Sequence, residues 1–209
     1  MKRKIIILLA FSLLLTGCSP KITTNTITPT PAPKIIDMPL SDRPLISLTP
    51  TADGHYLTLK ITNTPNYISA IDYEILYNAT DNSSEIEKGI GDTIKELSSN
   101  LERKLLLGTE SCTNGCKYSY DKGVIGGTMT INFIDKNGQI STFNTPFTLK
   151  SSSDLNKEGS ISLTTDNFSV PVKSKLTGNN YFILIKNYKG GYSIYGSSPN
   201  SLVGDYPNQ

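Results

Sequence analysis

The chain has 209 residues and a formal charge of +2, with 16 glycines, 12 prolines and no tryptophan. Three of its bases lie in residues 2–4; without that N-terminal segment, 17 bases face 18 acids, and such a chain lacks the basic footprint of a nucleic-acid-binding protein. Many Thr, Ser, Asn and Tyr residues favour strands and turns, and the length suits one moderate domain, alone or with an appendage.

Residues 1–18 have the three parts of an export signal. Residues 2–4 are basic, residues 5–15 form an apolar run, and two small residues precede Cys18. A helix of these eleven apolar residues would be about 17 Å long, well short of the roughly 30 Å hydrocarbon core of a bilayer. The run is therefore too short to remain as a membrane span.

The sequence LTGC at residues 15–18 resembles the lipobox of bacterial lipoproteins, in which the cysteine carries a diacylglyceryl thioether. The resemblance implies that residues 1–17 are a signal peptide and that acylated Cys18 anchors the protein to membrane lipid on the extracytoplasmic side. Ser19 is not the aspartate that resembles an inner-membrane retention signal, so the outer membrane is expected if the host has one. The alternative is an ordinary secretory signal with a chance cysteine.

Residues 18–44 comprise the cysteine and a segment rich in proline and threonine. This composition predicts an extended linker that holds the body of the protein away from the membrane. Proline-rich segments also serve as ligands for aromatic grooves, which is the alternative interpretation.

The body begins with two hydrophobic runs around Asp53-Gly54, a dipeptide typical of hairpin turns. In the second run Leu57, Leu59 and Ile61 alternate with polar residues, the period-two pattern of a half-buried strand.

A third strand follows with the same alternation. Its two faces carry Ile71, Tyr73, Ile75 and Tyr77 on one side and Asp72 and Glu74 on the other.

Residues 128–149 form the clearest predicted hairpin, with alternating apolar residues on both sides of Asn137-Gly138. We expect a type I′ turn, in which both central residues have positive φ. Pro146 indicates that the return strand ends there or lies at a sheet edge.

The segment at residues 99–108 allows two interpretations. Ser99 and Glu102 form a possible capping box with Gly108 as a helix stop, but the apolar run also fits a buried strand. We favour the strand because the neighbouring elements are all strands.

Residues 45–150 thus contain about six predicted strands and resemble an immunoglobulin-like or fibronectin-III-like antiparallel β-sandwich. The resemblance is architectural, since the chain has neither a tryptophan nor a pair of core-bridging cysteines. A polar linker at residues 151–160, a small β appendage at 161–198 and a flexible tail at 199–209 complete the predicted all-β organisation. We expect the appendage to pack on the sandwich or pair with its edge, because it is too small to fold alone.

Candidate chemistry is sparse. Asp72 and Glu74 share a strand face at a spacing compatible with paired-carboxylate hydrolysis, which supports the alternative of a cell-envelope hydrolase. The same pattern is typical of any solvated strand face, and no third catalytic group is identifiable.

His55 is the only histidine, so neither a zinc site nor a Ser/His dyad has a second member. An acidic loop offers oxygen ligands for calcium without the spacing of a known loop: Asp81, Glu85 and Glu87. We predict no catalytic residues, metal or cofactor.

The favoured hypothesis is a non-catalytic envelope module that binds an unknown protein or glycan, or serves as envelope structure. Tyrosine provides large amphipathic contact area at low entropic cost. Five tyrosines are candidates for such a surface: Tyr118, Tyr120, Tyr188, Tyr192 and Tyr195.

Cys112 and Cys116 are predicted to form a disulfide. Once Cys18 is lipidated they are the only thiols left in a chain that meets oxidising conditions. A turn at Asn114-Gly115 brings them together, and the closed loop would present Tyr118 and Tyr120 as a binding loop. Two thiolates are too few for tetrahedral zinc, and the spacing differs from a thioredoxin-like motif.

Overall fold

The structure is a computed structural model that describes residues 33–81 and 84–208. The predicted signal peptide and Cys18 lie outside the described residues. The strands are β1 (Leu45–Pro50), β2 (Tyr56–Thr62), β3 (Ile68–Asp81), β4 (Ser84–Ile94), β5 (Asn100–Leu106), β6 (Gly108–Cys112), β7 (Cys116–Tyr120), β8 (Gly126–Asp135), β9 (Ile140–Ser151), β10 (Ser160–Leu163), β11 (Phe168–Pro171), β12 (Tyr181–Lys186), β13 (Tyr192–Gly196) and β14 (Gly204–Tyr206). The helix α1 covers Ser152–Glu158.

Two antiparallel sheets form the main sandwich. The larger has seven strands in the order β14-β13-β12-β9-β8-β3-β4, and the smaller has three in the order β1-β2-β5. The pairs β6-β7 and β10-β11 are separate two-stranded sheets. The predicted class, an all-β antiparallel sandwich, is confirmed.

The main core lies between the two sheets and follows the alternation of the sequence. Leu57, Leu59 and Ile61 of β2 are fully buried and pack in one cluster with Ile71 and Ile75 of β3. Apolar side chains on one face of each strand thus leave water together, which is the main favourable contribution to folding. The predicted half-buried strands are confirmed.

The ambiguous segment at residues 99–108 is a strand. β5 pairs antiparallel with β2 over its whole length, and its side chains at Leu101 and Leu105 enter the main core. Because these side chains are four residues apart, they suit one face of either a strand or a helix, and pairing with β2 decides between them.

The predicted hairpin is formed by β8 and β9, but its turn type differs from the expectation. Only Gly138 has positive φ, at 75°, and its N–H donates to the carbonyl of Asp135 at 3.1 Å. The Asp135 N–H in turn donates to the carbonyl of Gln139 at 2.9 Å. This is a type I turn followed by a glycine bulge, a three-residue loop, so the type I′ prediction is wrong.

Pro146 lies in a strand that has partners on both sides. β9 pairs with β8 along its length, and it pairs with β12 from Phe147 to Ser151. Pro146 directly precedes Phe147, where the pairing with β12 begins, and the Lys186 N–H donates instead to the Thr145 hydroxyl at 3.3 Å. The prediction that the strand ends at Pro146 or lies at a sheet edge is therefore wrong, because the proline marks the end of one ladder within a central strand.

The C-terminal region continues the large sheet, because β12 pairs with β9. Ile183 and Ile185 of β12 face the main core, whereas Phe182 and Leu184 face a second core built with α1, β10 and β11. Burial on both faces explains why β12 is apolar without alternation.

Two segments that the sequence presents as linker and tail contain regular structure. The predicted linker at 151–160 includes α1. Ser151 caps the N-terminus of this helix, and its hydroxyl accepts a hydrogen bond from the Asp154 N–H at 3.1 Å. The predicted flexible tail at 199–209 includes β14, which pairs with β13, and the buried side chain of Leu202. These two segments pack against the second core.

The end of the predicted linker 18–44 is also packed. The Ile36 N–H donates to the Ile140 carbonyl at 2.9 Å, and Met38 is 2% exposed. The Arg43 guanidinium donates to the carbonyls of Met38 and Tyr188, each at 3.0 Å. Residues 34–44 therefore lie against the sandwich, which the composition alone does not predict.

Candidate binding surface

The β6–β7 hairpin projects from the sandwich with both faces in solvent. Every residue from 109 to 120 is exposed. Only the base is fixed by the body: buried Leu107 donates its N–H to the His55 carbonyl at 2.8 Å, and its carbonyl accepts from the Asp121 N–H at 3.0 Å. A hairpin with no core of its own is marginally stable in water, so another feature must hold its shape.

A disulfide holds that shape. Cys112 and Cys116 are directly opposite each other at the tip of the hairpin and are bonded through their sulfur atoms. Gly115 has φ of 95°, a conformation that favours glycine, and it completes the reversal of the chain. The predicted pair is present as a disulfide, at the turn expected from Asn114-Gly115.

Strand register places the aromatic residues on one face of the hairpin. Tyr118 is opposite Glu110, and Tyr120 is opposite Gly108, on the same side as the disulfide. The side chains of Tyr118 and Tyr120 are 47% and 40% exposed. The other face carries small and charged residues: Thr109, Ser111, Lys117 and Ser119.

Aromatic rings from β1–β2 continue the row of tyrosines. The Tyr120 ring stacks on His55 with centroids 3.8 Å apart, and it lies 6.3 Å from the parallel ring of Tyr118. Tyr56 meets Tyr120 edge-on at 6.2 Å, and the Lys104 ammonium lies 4.0 Å from the Tyr56 centroid. We call these five residues the tyrosine face.

Carboxylates set the charge around the tyrosine face. The Glu110 carboxylate, as a hydrogen-bond acceptor and as a negative charge, raises the pKa of Tyr118. The hydroxyl of Thr51 and the N–H of His55 lower the pKa of Asp53, which lies 3.3 Å from His55 Nδ1. The face therefore combines flat rings, one cation and ordered carboxylates.

The other three candidate tyrosines are structural. Tyr188 is buried against Phe133 and Phe143, and Tyr192 is buried against Phe168. The half-buried Tyr195 donates its hydroxyl to the Ile46 carbonyl at 3.1 Å. The expectation of a contact surface is wrong for the buried Tyr188 and Tyr192, and Tyr195 lies apart from Tyr118 and Tyr120.

Asp72 and Glu74 lie on the outer face of the large sheet, in a shallow depression. Asp72 accepts hydrogen bonds from Thr93 at 3.0 Å and Asn132 at 3.3 Å, while Glu74 is exposed. The two carboxylates are thus on an open surface and share no deep cleft.

Within the described residues, the carboxylates of Asp81, Glu85 and Glu87 do not come together as a group of metal ligands. Glu85 accepts a hydrogen bond from the Asn78 amide at 2.7 Å. Within residues 33–81 and 84–208, the one group of three possible metal ligands is Glu110 with Cys112 and Cys116, whose sulfurs are joined in the disulfide.

A second concavity, of about 860 Å³, lies between β1 and the C-terminal strands. Tyr195, Tyr206, Lys60 and Asp205 contribute to its walls. It is a wide groove with mixed charge.

Comparison of the chain with family models, with curated proteins and with solved structures finds no match. Among the described residues, the helical structure includes no segment with the length and apolar character needed to cross a membrane.

Proposed function

We propose that this protein is a lipid-anchored extracytoplasmic lipoprotein, a non-catalytic module that binds a protein or glycan of the cell envelope through its tyrosine face. One observation carries the binding proposal: the hairpin that presents Tyr118 and Tyr120 contributes no core, yet a disulfide fixes its shape. Exposed aromatic rings in a fixed array provide a large contact area, and the hairpin loses little conformational entropy when a partner binds.

The anchor rests on the LTGC motif and Cys18. Since residues 34–36 already contact the sandwich, at most the fifteen residues from 19 to 33 lie between the lipid and the body. In a polyproline-like conformation they would span roughly 45 Å. This is a shorter reach than the 26 residues from 19 to 44 would have.

The strand order supports the immunoglobulin-like or fibronectin-III-like resemblance. In such sandwiches strands A, B and E share one sheet, while C, F and G share the other and C′ extends it at C. Here β1, β2 and β5 take the first set of places, and β4, β3, β8 and β9 take the places of C′, C, F and G. The β6–β7 hairpin is then an insertion between E and F, which explains why no core depends on it.

The alternative of an envelope hydrolase rests on Asp72 and Glu74. Both lie in one shallow depression on an open sheet face, where Asp72 is hydrogen-bonded by two neutral side chains. We therefore retain the binding module.

The binding proposal is tested by replacing Tyr118 with a photoreactive phenylalanine analogue and irradiating intact cells that express the full chain. We expect defined adducts that disappear when Tyr120→Ala is added. The matched control places the same analogue at Lys117, which lies on the opposite face. Equal adducts from both positions, or none from Tyr118 against envelope protein and isolated glycan, would overturn the proposal.

The anchor is tested separately by labelling cells with a clickable fatty acid. Cys18→Ser should lose the label, whereas Cys112→Ser/Cys116→Ser should retain it. Persistent acylation of Cys18→Ser would exclude the lipoprotein assignment.

A further inference from the structure

Strand β4 forms one edge of the seven-stranded sheet and extends over 11 residues. It pairs with β3 on one side. On the other side no strand of the described residues pairs with it. A long edge of this kind exposes unpaired N–H and C=O groups that another strand can bind.

The two faces of β4 have different compositions. The side that faces the sandwich carries, in order, Ile86, Lys88, Ile90, Asp92 and Ile94, of which Ile94 is buried and Ile86 and Ile90 are half-buried. The outer side carries Glu85, Glu87, Gly89, Gly91 and Thr93. Charges that point inward from an edge strand usually discourage association, because a partner strand would bury them without a counter-charge.

The inner side reads Ile-Lys-Ile-Asp-Ile, with Ile90 at its centre. Reversing this order exchanges the lysine with the aspartate and leaves an isoleucine at each of the other three positions. We propose that β4 is the dimer interface of this protein, pairing antiparallel with β4 of a second copy about a two-fold axis at Ile90. The pairs across the axis are Ile90 with Ile90, Lys88 with Asp92, Ile86 with Ile94, Gly89 with Gly91, Glu87 with Thr93 and Glu85 with Lys95. Each inward charge thus meets its opposite, and each isoleucine meets an isoleucine.

Other two-fold registers lose this match. The two-fold axis is perpendicular to the sheet, so each inner residue of one β4 lies opposite an inner residue of the other. The axis must then lie between two copies of the same residue. An axis at Gly89 or Gly91 places Lys88 opposite an isoleucine. An axis at Lys88 or Asp92 places like charges directly opposite each other, which is destabilising. Lys88 and Asp92, which disfavour pairing with other strands, therefore favour one register of pairing between two copies of β4.

The local contacts leave room for the new pairs. Lys88 donates to the Asp121 carboxylate but remains 28% exposed, and an ammonium group has three donors. The exposed Asp92 accepts one hydrogen bond, from the Thr93 N–H at 2.8 Å, and keeps other acceptor sites free. The glycine pairs place no side chain on the outer side near the axis, where the two backbones approach.

The proposal is tested by cysteine crosslinking of the full chain in intact cells, read on non-reducing gels. Directly opposite residues in an antiparallel pair have Cα atoms about 4.5–5.5 Å apart, within disulfide range. Ile90→Cys should give a covalent dimer under a mild oxidant, while the parent chain stays monomeric. Glu87→Cys and Thr93→Cys should each fail alone and crosslink when the two are co-expressed.

Charge reversal provides the second measurement. Asp92→Lys in the Ile90→Cys chain places lysine opposite Lys88 twice and should abolish the dimer band. The matched control, Glu74→Lys, also reverses an exposed acid on this sheet but leaves the edge unchanged, and it should keep the band. A monomeric Ile90→Cys chain, equal crosslinking by Glu87→Cys alone, or a dimer band unchanged by Asp92→Lys would overturn the proposal.

Discussion

The β8–β9 and β6–β7 hairpins are both antiparallel pairs closed by a turn with a positive-φ glycine, yet they are held in different ways. β8 and β9 alternate buried residues with half-buried or exposed ones and contribute Phe133, Phe143 and Phe147 to the main core. β6 and β7 bury almost nothing, and a covalent bond closes their tip.

The difference separates two roles of a hairpin. Side chains that face the core cannot also face a partner, so the β8–β9 hairpin stabilises the sandwich and is unavailable on that face. In the β6–β7 hairpin both faces are exposed, and the disulfide limits its conformations without using any side chain of the tyrosine face. The β8–β9 hairpin thus contributes to stability, and the binding that we propose uses the separate two-stranded sheet β6-β7.

The largest expected effect is in the β8–β9 hairpin. Phe133 is 1% exposed and stacks on Tyr188 with centroids 5.7 Å apart. Phe133→Ala should lower the free energy of unfolding by about 3–5 kcal/mol, because it removes buried surface and leaves a cavity. Denaturant titration measures the change. A loss below 1 kcal/mol would mean that the β8–β9 hairpin does not depend on its core.

The next effect is in the β6–β7 hairpin. Replacing both cysteines, Cys112→Ser/Cys116→Ser, should cost at most about 2 kcal/mol, because the loop closed by the disulfide is short and constrains the unfolded chain only weakly. Amide exchange should rise at residues 109–120 and stay unchanged in β8 and β9. Uniform acceleration across the sandwich would show that the hairpin supports the core after all.

The β8–β9 turn should contribute less. Gly138 has φ of 75° and open space around its Cβ position, so Gly138→Val meets backbone strain without a steric clash. We expect a loss of about 1 kcal/mol or more. Gly138→Asn is the matched control, since asparagine tolerates this conformation better. Equal melting temperatures for the valine variant and the parent chain would contradict the strain.

The fold was predictable where one face of a strand is buried. Alternation at Leu57, Leu59 and Ile61 predicts β2, because a period of two is the signature of a strand between core and water. β12 lacks that signature since both of its faces are buried, and α1 and β14 have only seven and three residues. The type of the β8–β9 turn depends on φ at Asn137, which its dipeptide sequence does not determine.

The site was predictable only where it is local. Cys112 and Cys116 indicate the closed loop, and Tyr118 and Tyr120 follow directly after it. His55 joins the tyrosine face because β2 and β5 pair, a contact between segments about fifty residues apart that no local pattern contains. Burial of the other candidate tyrosines depends on packing for the same reason.

A smaller effect on stability is expected at the tyrosine face. Tyr118→Ala/Tyr120→Ala changes exposed side chains, so the free energy of unfolding should stay within about 0.5 kcal/mol of the parent chain. Binding of the envelope partner should be lost in the same variant. Thermal melting measures the first result, and co-purification with the partner that photocrosslinking identifies measures the second. A melting temperature as low as that of Phe133→Ala would show that the rings belong to the core.

The smallest effect concerns the protonation of Tyr118. Its pKa is raised because Glu110 accepts the phenolic hydrogen bond and its negative charge opposes a phenolate. A raised pKa means that this contact supports the hairpin below the ordinary tyrosine pKa of about 10 and is lost as the pH rises above it. Glu110→Gln removes the charge but keeps a hydrogen-bond acceptor, so the pKa of Tyr118 should fall toward its ordinary value while the unfolding curve at neutral pH stays unchanged. Resonances of Tyr118, followed by NMR through alkaline pH, measure the shift. Lys117→Gln, on the opposite face, is the matched control, and an equal shift in both variants would mean that Glu110 does not contact the phenol.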